Sequence, residues 1–166
     1  MIESIVLSLS YPLRLMATYI AVGCLKLFGL AVHAERTLIT LESCGLAIAV
    51  TDACGGIEQL EGLVIIGGVF AFMMQKSALF RVIHWATILP CVVIANAIRL
   101  IVTVVLVHAV GEVVMGDTWH IALGWAQTIL AVVMLWLFGK AIRACARDEP
   151  KNGTAKNRSE KASIRN

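Results

Sequence analysis

From Val82 to Val110 the chain runs for 29 residues with one charged side chain, Arg99. As a single α-helix this stretch would be about 43 Å long, well beyond the roughly 30 Å hydrocarbon core of a bilayer. A run this apolar points to lipid, and its excess length requires a bend, a break or a tilt. Pro90 is the expected kink, and the polar pair Asn96 and Arg99 is expected where the helix meets the far interface.

Three further apolar runs, Tyr11 to Val32, Leu60 to Met74 and Trp119 to Phe138, are read as spans. With 59% hydrophobic and 15% charged residues and a mean hydropathy of +0.85, the composition excludes an ordinary soluble domain. The expected fold is an all-α polytopic membrane protein, a bundle of about four transmembrane helices with the third kinked or split. The run beginning near Tyr11 reads as a retained first helix, not a cleavable signal. Residues 1–142 form the expected bundle, and the basic stretch 143–166, punctuated by proline and glycine, is an expected disordered cytoplasmic tail. Between the first two spans, HAERTLITLES at His33 to Ser43 reads as a polar loop. GLAIAV at Gly45 to Val50 reads as a short extended segment outside the lipid.

Charge then sets the expected orientation. Lys76, Arg81 and the eight basic residues from Lys140 onward make ten of the 14 in the chain, and all fall on one side of the four-span arrangement. The other side carries Glu35, Glu42, Asp52, Glu58, Glu61, Glu112 and Asp117 against Arg36. The positive-inside rule therefore predicts a cytoplasmic-membrane protein with both termini inside. The basic excess reports topology and not nucleic-acid binding.

That orientation brings Cys54 at the start of span two, Arg99 in span three and His120 at the start of span four to the extracytoplasmic face. Each suits one need of acyl transfer. A thiol in the first turn of a helix capped by Asp52 can be a nucleophile, favoured as thiolate by the helix N-terminus. An imidazole can move a proton in both directions near neutral pH. A guanidinium can hold an oxyanion or orient a carbonyl. Asn96, Arg99 and Thr103 share one helical face, and His120, Gly124 and Thr128 share another, with Gly124 allowing close helix approach.

Plainer roles compete with these. Cys54 can be inert packing, Arg99 can snorkel to the interface, and His120 beside Trp119 can be an interfacial residue. His108 is a rival base on the helix of Arg99, whereas His33 and His84 look incidental. Glu58 and Glu61 can form a solvated helix face or contact a basic substrate segment. The five cysteines lack CxxC spacing, so neither a zinc site nor a disulfide framework is suggested, and no cofactor is expected. A Cys44 to Cys54 disulfide would silence the nucleophile.

DACGGIEQL at Asp52 to Leu60, NAIRL at Asn96 to Leu100 and HIALGW at His120 to Trp125 resemble the three signature blocks of the exosortase/archaeosortase family. The resemblance implies a membrane cysteine transpeptidase with Cys54, Arg99 and His120 as catalytic residues, and with Gly55, Gly56, Asn96 and Gly124 in support. It also implies substrates that are membrane-anchored proteins with a C-terminal sorting tail of the PEP-CTERM type, an apolar helix with a basic end, passed to an acceptor nucleophile the residues do not identify. Gly55 stands where the family usually has serine, and fewer helices precede the cysteine than is usual. Two other classes remain open on the residues alone: a non-catalytic scaffold or transporter subunit clamped by Asn96 and Arg99, and a thiol redox protein using Cys44 with Cys54.

Overall fold

The computed structural model describes residues 2–42, 45–50 and 57–148. Cys44, Cys54, Gly55, Gly56 and the tail from residue 149 lie outside the described residues.

Helix α1 spans Ile2–Leu27 and ends in a left-handed glycine, Gly29, at φ 81°. The amide of Leu30 donates back to the carbonyl of Leu25 at 3.1 Å, closing the terminus with the bond pattern that glycine permits there. The first apolar run therefore starts earlier than Tyr11 as helix and stops before Val32, where the chain turns extended.

Three antiparallel strands follow in sequence order: β1 (Val32–Glu35), β2 (Leu38–Leu41) and β3 (Leu46–Ala49). The segment expected as a polar loop, HAERTLITLES, is thus mostly a hairpin. Its two-residue turn places Arg36 at φ 54°, a conformation usually left to glycine or asparagine. The physical reason is the side-chain period of two. Val32, Ile39, Leu41 and Ile48 all turn inward and are buried, with Val32 opposite Leu41 and Ile39 opposite Ile48. The extended segment expected at Gly45 to Val50 is β3.

Helix α2 covers Ile57–Met74, α3 Ala78–Ala86, α4 Ile88–Val110 and α5 Asp117–Asp148, with a 3-10 turn at Glu112–Met115. The long third apolar run is split at Thr87, one turn before Pro90. Proline in the first turn of α4 lacks only an amide hydrogen that a helix start leaves unpaired. The Thr87 hydroxyl meanwhile donates to the carbonyl of His84 at 2.6 Å. Helix α5 continues past residue 142 to Asp148, so residues 143–148 are helical where a disordered tail was expected.

Among the described residues, two helical stretches are long and apolar enough to cross a bilayer, Ala78–Val110 and Asp117–Ala146, and α2 adds a shorter apolar stretch, Leu60–Met74. Helix α4 is the central element, packed mainly on α1 and α5. Its buried face runs from Ile88 through Cys91, Val92, Ala95 and Leu100 to Val104 and Val107.

At the far end of α5 the bundle is tied by polar side chains reaching backbone. Arg143 donates from Nε to the carbonyl of Met74 at 2.7 Å, capping α2, and Gln75 Nε2 donates to the carbonyl of Gly139 at 2.9 Å. His84, which looked incidental in the sequence, is fully buried and donates from Nε2 to the carbonyl of Leu135 at 3.1 Å. Gly139 makes room for it: a methyl group there would lie 2.5 Å from His84 Cε1. Gly139→Ala is therefore expected to destabilise the fold by about 1–3 kcal/mol, as overpacking against a rigid ring does, read as a lowered unfolding midpoint in detergent.

Candidate active site

Arg99 lies midway along α4, which continues about 16 Å beyond it. His120 lies in the first turn of α5. The two helices meet so that these side chains touch: Arg99 Nη2 is 3.3 Å from His120 Nε2 and donates to the His120 carbonyl at 3.2 Å. A guanidinium can only donate, so in this contact Nε2 accepts and the imidazole proton is on Nδ1.

The other arm of the fork, Nη1, donates to Gln127 Oε1 at 3.1 Å. Gln127 Nε2 in turn approaches Asn96 Oδ1 at 3.5 Å, the long limit for such a bond. Arg99, Asn96 and Gln127 are 6%, 1% and 3% exposed, so a permanent charge sits inside the bundle surrounded by acceptors from the facing helix. Burial of this kind is tolerated when the donors are satisfied, and removing one partner is costly.

The helical faces expected from the sequence do meet here. Gly124 lies at the contact, where a Cβ would stand 4.0 Å from both terminal nitrogens of Arg99. A methyl fits at that distance. Thr103 and Thr128, which share those faces, turn their hydroxyls onto their own helices, at the carbonyls of Arg99 (2.9 Å) and Gly124 (3.0 Å). Of the two, Thr103 lines the cavity beside the pair, and its hydroxyl proton is spent on its own helix.

Arg99 and His120 line a cavity of about 170 Å³ together with Leu100, Thr103, Val114, Met115 and Leu123, closed on one side by Ile48 and Ala49 of β3. The strand thus faces the same cavity as the guanidinium–imidazole pair, and Thr51 and Asp52 follow it in sequence toward Cys54. Cys54, Gly55 and Gly56 lie outside the described residues, so the expected triad is joined here at two of its three corners. His108, the rival base, is exposed and does not line this cavity. The described cysteines, Cys24, Cys91 and Cys145, are free thiols.

Gln127 was missed in the sequence reading. Its signal was its spacing, seven residues after His120 and three after Gly124, which keeps all three on one face. Gln127→Leu should leave one arm of a buried guanidinium without its acceptor, costing about 2 kcal/mol. It is expected to lower the unfolding midpoint in detergent.

A larger cavity, about 480 Å³, lies at the other end of the bundle between Met74, Gln75, Lys76, Ser77, Phe80, Arg143 and Ala146. Along α5 it is about 35 Å from His120, so it is remote from the guanidinium–imidazole pair. Arg81 over the Phe72 ring and Lys140 over the Trp136 ring cluster with Lys76 and Arg143 at that end.

Two apolar helical stretches of bilayer length, with Arg99 and Gln127 buried and His120 half-buried beside a small cavity, mark a helical membrane protein with an internal polar site. The chain belongs to the transmembrane exosortase family, whose model matches residues 1–137. No curated protein and no solved structure is significantly similar to it.

Proposed function

We propose that the chain is a membrane-embedded cysteine transpeptidase that cleaves a C-terminal sorting tail from secreted proteins and passes them to an acceptor. The observation that carries this reading is the contact of Arg99 with His120 at the wall of a cavity whose other wall is β3, the strand that leads toward Cys54.

In this mechanism the Cys54 thiol gives its proton to His120 Nε2, and the sulfur attacks a peptide carbonyl. Arg99 turns its Nη2 from the imidazole to the oxygen that becomes negative, which also frees the Nε2 lone pair. The C–N bond breaks as His120 returns the proton to the leaving nitrogen, and a thioester remains on Cys54. An acceptor nucleophile, deprotonated by His120, then attacks the thioester and releases the thiol. Gln127, itself bonded to Asn96, holds the guanidinium through this change of partners. Coexpression with a secreted reporter bearing a proline-containing motif, an apolar helix and an arginine cluster tests the reading: the tail is expected to be removed by the parent chain and retained with Cys54→Ser.

The proposed setting is the cytoplasmic membrane, crossed about four times, with both termini inside and the site at the outer face. Lys76, Arg81, Lys140 and Arg143, clustered at the end remote from Arg99, support that orientation. Cys145, exposed on the last turns of α5, reports it. A membrane-impermeant maleimide is expected to label Cys145 in inverted vesicles and to spare it in intact spheroplasts.

A non-catalytic scaffold is the second reading, favoured by one observation: Arg99 donates to Gln127 Oε1 and to the His120 carbonyl, both on α5, as an interhelical clamp would. A clamp tolerates Cys54→Ser and the proposed enzyme does not.

A further inference from the structure

Strand β3 lines the same cavity as Arg99 and His120 through Ile48 and Ala49, and its outer edge carries hydrogen-bonding groups that β2 does not use. In an antiparallel ladder, bonded and non-bonded residue pairs alternate. The amide of Val50 donates to the carbonyl of Thr37 at 2.8 Å, which continues the register of Leu38 opposite Ala49 and makes Thr37 with Val50 a bonded pair. Alternation then makes Ile39 with Ile48 and Leu41 with Leu46 bonded pairs as well. The other side of β2 agrees: the amide of Glu42 donates to the carbonyl of Ala31, so Leu38 and Thr40 serve β1.

Ala47 and Ala49 therefore direct their N–H and C=O groups away from β2. Among the described residues no backbone group bonds to them, and the sheet ends at β3. Both side chains are exposed, while Ile48 between them is anchored in the core. Natural sheets guard such an edge with lysine, proline or a bulge. Leu46 to Ala49 has none of these, although its last residue lines the cavity.

We propose that this edge is the docking strand for the substrate, which pairs with it in extended form so that alternate residues bond to Ala47 and Ala49 and the chain runs on into the Arg99–His120 cavity. The inference rests on the peptide-processing reading above and adds to it the mode of recognition: main-chain pairing, with side-chain selection confined to the residue that enters the cavity. Only the substrate residues facing the edge need an amide hydrogen, so a proline in the tail fits at the intervening positions alone. The occupant is an extended peptide because the groups left unpaired among the described residues are those of a strand, are spaced for a strand, and end at Ala49, which lines the cavity.

The test uses the full chain in lipid nanodiscs, with Cys54→Ala to block turnover and the parent for cleavage. The probe is a fluorescent synthetic peptide with a proline-containing motif, an apolar helix and an arginine cluster. It is made also as a series N-methylated at one motif amide at a time. Binding is expected to weaken about tenfold with methylation at alternate positions and to be unchanged between them, in line with the loss of one or two hydrogen bonds. Ala49→Pro removes an outward amide hydrogen that β2 does not use, so it is expected to weaken binding similarly. Ala34→Pro, on the opposite edge of the sheet, is expected to leave binding unchanged. If Ala49→Pro fails to fold, the methylation series on the unaltered sheet still decides the matter. A flat series with cleavage by the parent overturns edge docking and leaves the enzyme reading intact. A change of oligomeric state with Ala49→Pro at unchanged peptide affinity overturns it in favour of pairing between copies. No cleavage and no binding by any form overturns the enzyme reading and this inference together.

Discussion

Arg99→Ala is expected to abolish tail processing, with turnover falling by about 10²–10³-fold or more, the range for losing a principal oxyanion donor. The residue does two things at once. Its guanidinium touches the imidazole of His120 and the side chain of Gln127 simultaneously, at 3.3 and 3.1 Å, which only a planar fork can do. Arg99→Lys keeps the charge but offers a single nitrogen, so it should recover little of the lost rate. Comparing the two variants in nanodiscs separates charge from geometry, and equal activity of Arg99→Lys and the parent would remove the oxyanion role. Both variants should also unfold more easily than the parent, because Gln127 and Asn96 lose the group they surround.

Cys54→Ala carries the other large effect, complete loss of cleavage with substrate binding retained. Cys44→Ala is expected to change nothing, and this pair of variants is decisive between classes. A thiol redox protein needs both sulfurs and would suffer equally from either change. A scaffold would tolerate both.

The membrane character and the Arg–His pair were legible in the sequence because each violates a cheap default. A guanidinium inside 29 apolar residues is expensive enough to demand partners, so Arg99 was visible before any partner was. His120 followed from its face, shared with Gly124, and that glycine lies against the guanidinium. Gln127 was harder to see, since a neutral amide among apolar neighbours raises no comparable alarm. The β1–β2 hairpin was hidden by its charged turn. Glu35, Arg36 and the polar residues around them mask an alternation of Val32, Ile39 and Leu41 that only the sheet makes coherent. The break at Thr87 was displaced from Pro90 because proline is tolerated in the first turn of a helix, which puts the discontinuity before it. His84 was read as incidental for a similar reason: the glycine that accommodates it, Gly139, lies 55 residues away.

The most direct measurement is intact mass spectrometry of the full chain quenched in acid during turnover of a tail-bearing substrate. An adduct of the substrate's N-terminal portion, mapped to Cys54 and released by hydroxylamine, is the predicted result. An adduct on Cys44 or another side chain, or cleavage that persists in Cys54→Ala, would contradict it.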